Sequence, residues 1–358
     1  MKQSLPALTL TGIRRIDVAL KVLRTAGRTV DDVDSAFEVL VDNAIEEFGF
    51  APRDVYLGVL NLPKARDDHK DALHELNYSK LQAIVRAFHK NRLLEEPSHH
   101  VVAVHPQESG DSHDTWRITF KSIMIKRSAA ELMKSEEVRN LRDTYDYFRK
   151  TPEASILAGW VFEAMAHRLL FSGWRGPTLL LMESDLQDPP TFSVNPPQPP
   201  NTSLQSLGPP PAGASVVTVN FADGVGHVTL DKGKYYKAAV TNNPLFDSFT
   251  IDYDLDESTV LISIFQMTIS IEHKGSPQGY GIIRKIKEHV MELLENAHSS
   301  AQVKVEYFLV CPGVEPRYWW TMPVGWNGTA ADLRGNVFCI RIPVAVRRVH
   351  SLPTLRPS

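Results

Sequence analysis

The strongest internal constraint on this chain is a concentration of proline: nine of its 24 prolines fall between Pro189 and Pro211. Proline fixes φ and has no backbone N–H to donate, so no helix and no central strand can run through such a stretch. The other residues there, mostly Gln, Asn, Ser, Thr and Gly, carry little apolar surface to offset the entropy of ordering. That composition predicts a disordered insertion over 187–213. Its run Pro196–Pro200, PPQPP, is also a candidate ligand for a protein partner that reads polyproline. Folded structure must lie on either side of this segment, and the two sides carry different periodicities.

Before it, apolar residues recur mainly at helical spacing. Val33, Phe37, Leu40, Val41, Ala44 and Phe48 share a face over 32–48, and Leu76, Leu81, Ile84, Val85, Phe88 and Leu93 repeat the pattern over 73–94. Short apolar or alternating runs predict strands at 99–105 and 116–125, followed by helices at 128–149 and 153–171, the last the most apolar. Beyond the insertion the pattern turns to strands at 215–221, 227–230, 248–253, 259–270, 303–310 and 337–344. A helix at 277–296 would face Ile282, Ile283, Ile286, Val290, Leu293 and Leu294 inward. The expected fold is therefore α/β: a mixed sheet flanked by helices, preceded by a mainly helical domain with a small sheet. With 358 residues, the natural division is 1–150, 151–346 and a tail at 347–358.

A formal net charge of −3 argues against a surface that is basic throughout, as a whole-surface grip on nucleic acid or anionic membrane would require. No apolar run approaches the ~18 residues needed to cross a bilayer, and Arg14, Arg15 and Asp17 interrupt the only N-terminal apolar patch. The chain reads as intracellular, cytoplasmic or nuclear. Cys311 and Cys339 sit among strand-like apolar residues, as buried thiols do.

The phosphate-loop, dinucleotide, nucleophile-elbow, HExxH and CxxC signatures are absent from the sequence. His99, His100, His105 and His113 cluster along the chain, but on a strand His99 and His100 would point to opposite faces, a weak arrangement for a metal. A distributed set is more informative: Glu163 in the apolar helix, Asp247 at the start of a strand, and Gln266 with Thr268 on the next strand. A phosphodiesterase needs carboxylates at the mouth of a sheet to hold Mg²⁺, which stabilises the charge developing on phosphorus. Structural roles exist for the same residues. Glu163 can pair with His167 one turn on, Asp247 can cap a turn after Asn242, Asn243 and Pro244, and Gln266 and Thr268 can be hydrogen-bonded core polars.

The succession FExxxHxLL (Phe162, Glu163, His167, Leu169, Leu170), YYKAAVTNNPLFDSF (235–249) and ISIFQMTISIEHKG (262–275) resembles the restriction-endonuclease-like domain of fungal and oomycete Crinkler-type effectors and of retrotransposon-hot-spot proteins. That fold belongs to the PD-(D/E)XK nuclease superfamily, and the resemblance spans about 150–345. It implies metal-dependent cleavage of DNA. Glu163 matches the accessory helix acid, Asp247 the motif aspartate, Gln266 the second acid position and Thr268 the lysine position. Metal ligands would be Glu163, Asp247 and Gln266. Two positions depart from the pattern: Gln266 is a neutral amide and Thr268 supplies no ammonium. Lys274, with His273 beside it, is the candidate replacement, and Arg284, Lys285 and Lys287 are candidate phosphate contacts. Either the site has migrated, or the fold persists as an inactive effector or interaction module. Tyr318, Trp319, Trp320 and Trp326 could stack bases, though core packing suits them better. Residues 60–150 resemble the C-terminal lid of the nucleotide-hydrolase domain that precedes the nuclease-like domain in those proteins. With no phosphate loop, ATP binding is not implied. The leader of secreted Crinklers is not evident, so secretion is not expected.

Overall fold

The computed structural model describes residues 33–89, 98–106, 116–132, 137–172, 178–185, 187–194, 215–221, 228–239, 244–254, 258–296, 299–313, 315 and 317–344. Most of the proline-rich insertion, the segment 347–358, His113 and the pair Asn242 and Asn243 lie outside these residues. The chain forms two compact units. Unit 1 takes Met1–Asn140 and Tyr147–Ala158; unit 2 takes Leu141–Asp146 and Gly159–Ser358. The division is thus interleaved where the sequence suggests a single boundary between 150 and 151.

Unit 1 is built from helices α1 (Val33–Phe48), α2 (Pro52–Leu60), α3 (Leu62–His74), α4 (Tyr78–His89) and the single turn α5 (Ser98–Val101), followed by strands β1 (Val102–Pro106) and β2 (Trp116–Phe120) and helix α6 (Ile123–Leu132). Ala44 and Phe48 of α1 pack with Val59 and Ala65 of the next two helices. Capping chemistry sets the boundaries. Asn61 accepts a hydrogen bond from Lys64 N at 3.2 Å, opening α3, and Asn77 accepts from Lys80 N at 2.8 Å, opening α4. The single helix expected over 73–94 is therefore split by Asn77. Ser122 Oγ accepts from Ile125 N at 3.1 Å and starts α6, which cuts short the strand expected to reach 125. The strand expected at 99–105 begins only at Val102, because 98–101 wind into α5. Strands β1 and β2 pair antiparallel, Val104 opposite Ile118. The helix expected at 128–149 is two: α6, and α7 (Val138–Arg149), whose middle, Leu141–Asp146, is assigned to unit 2 and whose two ends are assigned to unit 1.

A 3₁₀ turn at Pro152–Ala154 leads into α8 (Ser155–Phe171). Unit 2 continues with β3 (Thr178–Leu181), β4 (Glu183–Ser184), β5 (Thr191–Ser193), β6 (Val216–Val219), β7 (Tyr235–Ala238), β8 (Ser248–Asp254), β9 (Thr259–Met267), β10 (Glu272–Lys274), α9 (Gln278–Asn296), β11 (Gln302–Pro312), β12 (Trp319–Thr321) and β13 (Val337–Ile342). Among the described residues, seven strands form one mixed sheet in the order β3-β13-β11-β9-β8-β7-β6, and four form a second, β10-β12-β5-β4. Strands β7, β8 and β9 run as an antiparallel meander. Helix α9 then carries the chain across to β11, which lies parallel to β9. Central parallel strands are covered on both faces, and β9 is accordingly buried along nearly its whole length and β11 from Tyr307 onward.

One face of the large sheet packs Ile262, Ile264, Phe249, Ile251 and Leu309 against Tyr280, Ile283, Ile286 and Val290 of α9. On the other face a row of rings runs Tyr235, Phe265, Phe308 and Phe338, with successive centroids 6.2, 5.1 and 5.2 Å apart. Helix α8 meets this face through His167 and Phe171, whose rings lie 5.8 and 6.4 Å from Tyr235. The α/β class with helix-flanked mixed sheets is what the sequence predicts. Several elements differ. Strand β5 lies inside the expected disordered insertion, with Phe192 and Val194 buried, because those two apolar residues give the proline-bordered segment something to pack. The strand expected at 227–230 forms eight residues later as β7, since Asp231–Gly233 is a turn. Leu293 points to solvent, while Leu294 is buried.

Candidate functional site

Two polar constellations stand out, one in each unit. In unit 2 the Asp247–Gln266 pair lies at the end of the β8/β9 ladder. Asp247 N donates to Phe265 O at 2.8 Å, which fixes the aspartate beside Gln266. Gln266 Nε2 donates to Asp247 Oδ2 at 2.8 Å, and Met267 N donates to the same oxygen at 2.7 Å. Nε2 also donates to Met267 O at 3.1 Å. With both neighbours acceptors, the amide orientation is determined, and Gln266 Oε1 is left buried without a hydrogen-bond partner among the described residues.

Strand alternation sends Phe265 to the α8 face and Ile264 and Gln266 to the α9 face. Glu163 approaches from the α8 side. His167 Nε2 stands 3.9 Å from Glu163 Oε1, beyond hydrogen-bond range. On its other edge, His167 Nδ1 bonds the Tyr235 hydroxyl at 2.7 Å, which bonds Ser248 Oγ at 2.6 Å. Burial, aided by the Lys237 charge and opposed by Glu163, pulls the His167 imidazole down to about 4. Burial also holds the Tyr235 phenol well above its ordinary range. Between Glu163 and Ser248, which adjoins Asp247, the chain of groups is therefore neutral at pH 7.

The other sequence-selected residues take structural places. Thr268 is buried, and its Oγ1 accepts from Ser270 N at 3.0 Å. Lys274 is exposed on β10, in the small sheet parallel to β12, and its ammonium pairs with no carboxylate among the described residues. Arg284 Nη2 donates to Thr329 O at 2.7 Å and to Asp332 Oδ1 at 3.1 Å, while Lys287 Nζ donates to Asp332 O at 2.5 Å. These two cations are engaged within the fold; Lys285 is exposed. Tyr318, Trp320 and Trp326 are buried in the core and Trp319 is half-buried, so they pack as core residues do. Cys311 and Cys339 are buried free thiols on neighbouring strands, their sulfurs 3.3 Å apart.

In unit 1, Asp54 of α2, His69 of α3 and His100 of α5 form a group that could hold a metal ion: one potential ligand atom from each lies within 4.8 Å of the others. Asp54 is 1% exposed and His69 6%. His69 Nδ1 donates to Ala65 O at 3.0 Å, which leaves Nε2 as the lone-pair nitrogen. His69 Nε2 and His100 Nδ1 are buried with no hydrogen-bond partner among the described residues. His100 Nδ1 lies 4.0 Å from Asp54 Oδ1, and Lys121 pairs with Asp54 Oδ2. Arg53 Nη2 reaches His100 Nε2 at 3.3 Å. Burial pushes the Asp54 carboxyl up, but the hydrogen bond and charge of the Lys121 ammonium bring it to a net value below the usual range. Burial lowers His69, and lowers His100 to about 4, so both rings are neutral at pH 7.

Of the three described histidines of the sequence cluster, His99, His100 and His105, only His100 joins this group. His105 bonds Thr119 Oγ1 at 3.1 Å on the exposed β pair. Sequence spacing could not identify Asp54 and His69, because the three ligands come from three helices. The one trace was a histidine on an apolar stripe, with Ala65, His69 and Ala72 at helical spacing and all buried. No protein-family model, no curated protein and no solved structure matches this chain.

Proposed function

We propose that unit 2 is a restriction-endonuclease-like domain that has lost metal-dependent phosphodiester hydrolysis and acts as a non-catalytic interaction module of the Crinkler type. The order helix acid, strand aspartate, Gln-x-Thr strand supports the fold assignment, as does the convergence of Asp247 and Gln266 at the end of two paired strands. One observation carries the loss of chemistry: Asp247 Oδ2 is already occupied by two N–H donors, from Gln266 and Met267. Two side-by-side carboxylates need a cation to offset their repulsion; a carboxylate beside an amide satisfies itself. Thr268 brings no charge, Lys274 lies in another sheet, and two of the three candidate phosphate contacts are bound to Asp332 and nearby carbonyls. These donors do not fit a catalytic Mg²⁺ ion.

A second reading, Mg²⁺-dependent cleavage of DNA, rests on Gln266 Oε1, a buried carbonyl oxygen with no partner among the described residues. A neutral oxygen of this kind can enter a hard-cation shell beside Asp247. Incubating the purified chain with supercoiled plasmid and Mg²⁺ or Mn²⁺, beside an Asp247→Ala variant, separates the two. The module reading expects no metal-dependent nicking above the variant's background. Nicking by the parent chain that disappears in Asp247→Ala would overturn it in favour of the nuclease.

A further inference from the structure

We propose that unit 1 binds a first-row divalent cation of the Zn²⁺ class through Asp54 Oδ1, His69 Nε2 and His100 Nδ1. Buried imidazole nitrogens are normally hydrogen-bonded, so two of them left without partners around one carboxylate call for a reason. A cation at their centre supplies it. Two nitrogens and one oxygen are the donors Zn²⁺, Co²⁺ and Ni²⁺ prefer, whereas Mg²⁺ and Ca²⁺ take oxygen shells.

Part of the outer shell is already in place. The Ala65 carbonyl holds His69 in the tautomer that presents Nε2, and Lys121 occupies Asp54 Oδ2, while Oδ1 lies 4.0 Å from His100 Nδ1 and accepts a long 3.4 Å contact from Arg53 Nε that binding would displace. In a tetrahedral site with bonds of ~2.0–2.1 Å, ligand atoms stand about 3.4 Å apart. The present spacing of up to 4.8 Å therefore contracts by side-chain rotation on binding. Because Arg53 Nη2 can only donate, its 3.3 Å contact makes His100 Nε2 the acceptor and leaves the ring proton on Nδ1. Metal binding at Nδ1 moves that proton to Nε2 and gives up this contact with the exposed Arg53, a weak interaction. Three protein ligands leave a fourth position open. His69 also lines a cleft of about 480 Å³ with Phe48, Lys70, Leu73 and Met124, a route by which solvent or a small ligand reaches this side of the unit. Lys121 opposes the ion by charge, so it sets the affinity rather than creating the site.

The test titrates the full chain, stripped with a chelator, with Co²⁺, followed by visible ligand-field absorption, and then with Zn²⁺ in competition. One equivalent should bind. Affinity should fall at least about tenfold in His69→Gln and in His100→Gln, and should be kept in His105→Ala. Lys121→Met should bind more tightly than the parent. Asp54→Asn, nearly isosteric, checks the result independently of any folding defect: Zn²⁺ should raise the Tm of the parent chain and not that of the variant. Absence of saturable Co²⁺ binding, or binding that survives in both histidine variants, overturns the proposal. So does a Lys121→Met protein that is destabilised and gains nothing from Zn²⁺, the result for a core ion pair with no metal role.

Discussion

Gln266 shows how one atom type decides the character of a site. Its amide donates where a glutamate would repel, so the Asp247 carboxylate is at rest without a cation. Gln266→Glu should cost about 1–3 kcal/mol of stability at pH 7 in chelator, read by urea denaturation, because a buried hydrogen bond becomes a like-charge contact. Millimolar Mg²⁺ should return part of that loss; a variant as stable as the parent in chelator would show the amide bond to be immaterial. His167 makes a second prediction. Its imidazole binds a proton less readily folded, near pH 4, than unfolded, near 6.5. The stability it contributes is therefore complete above about 6.5 and is lost as pH falls toward about 4. The change is on the order of 3 kcal/mol across that window. Denaturation at a series of pH values should give a flatter acid limb for His167→Gln than for the parent, and equal slopes would refute the assignment.

At the scale of elements, α9 joins two opposite responses within three residues. A Cβ on Gly281 meets nothing within 4 Å, so Gly281→Ala should raise stability by roughly 0.5–1 kcal/mol through helix propensity alone. A Cβ on Gly279 would collide with the Leu245 side chain, in the segment that leads to Asp247. There, overpacking of roughly 1–3 kcal/mol exceeds the propensity gain, and Gly279→Ala should lower the melting temperature while Gly281→Ala raises it. Elements of this kind were legible in the sequence. The hydrophobic period of α9 and the apolar stretches 260–262 of β9 and 307–311 of β11 reflect burial along each segment's own length. The three-residue strands β5, β10 and β12 were not, since they exist only by pairing with partners remote in sequence. The candidate sites divide the same way. Asp247 and Gln266 come from adjacent strands of one hairpin and could be linked from sequence. Asp54, His69 and His100 come from three helices, and only tertiary packing brings them together.

For the whole molecule, the interleaving of the units bears on how the chain can be cut. Leu141–Asp146 belongs to unit 2, where the Tyr145 ring lies 5.6 Å from Phe162. A fragment starting at residue 137 should therefore melt at a higher temperature than one starting at 151, by calorimetry; equal melting would assign Tyr145 no part in the unit. A last consequence concerns the order in which the protein is made. Strand β3 pairs with β13, Leu181 opposite Phe338, and β13 sits between β3 and β11 within the large sheet, not at its rim. A ribosome delivers β3 early and β13 near the end of the described chain. Until residues 337–342 emerge, the Leu-rich β3 and the flank of β11 both wait with open hydrogen-bonding edges. The sheet is closed from within by its latest strand, so a nascent chain halted before 337 would expose two sticky edges at once and become a client for chaperones.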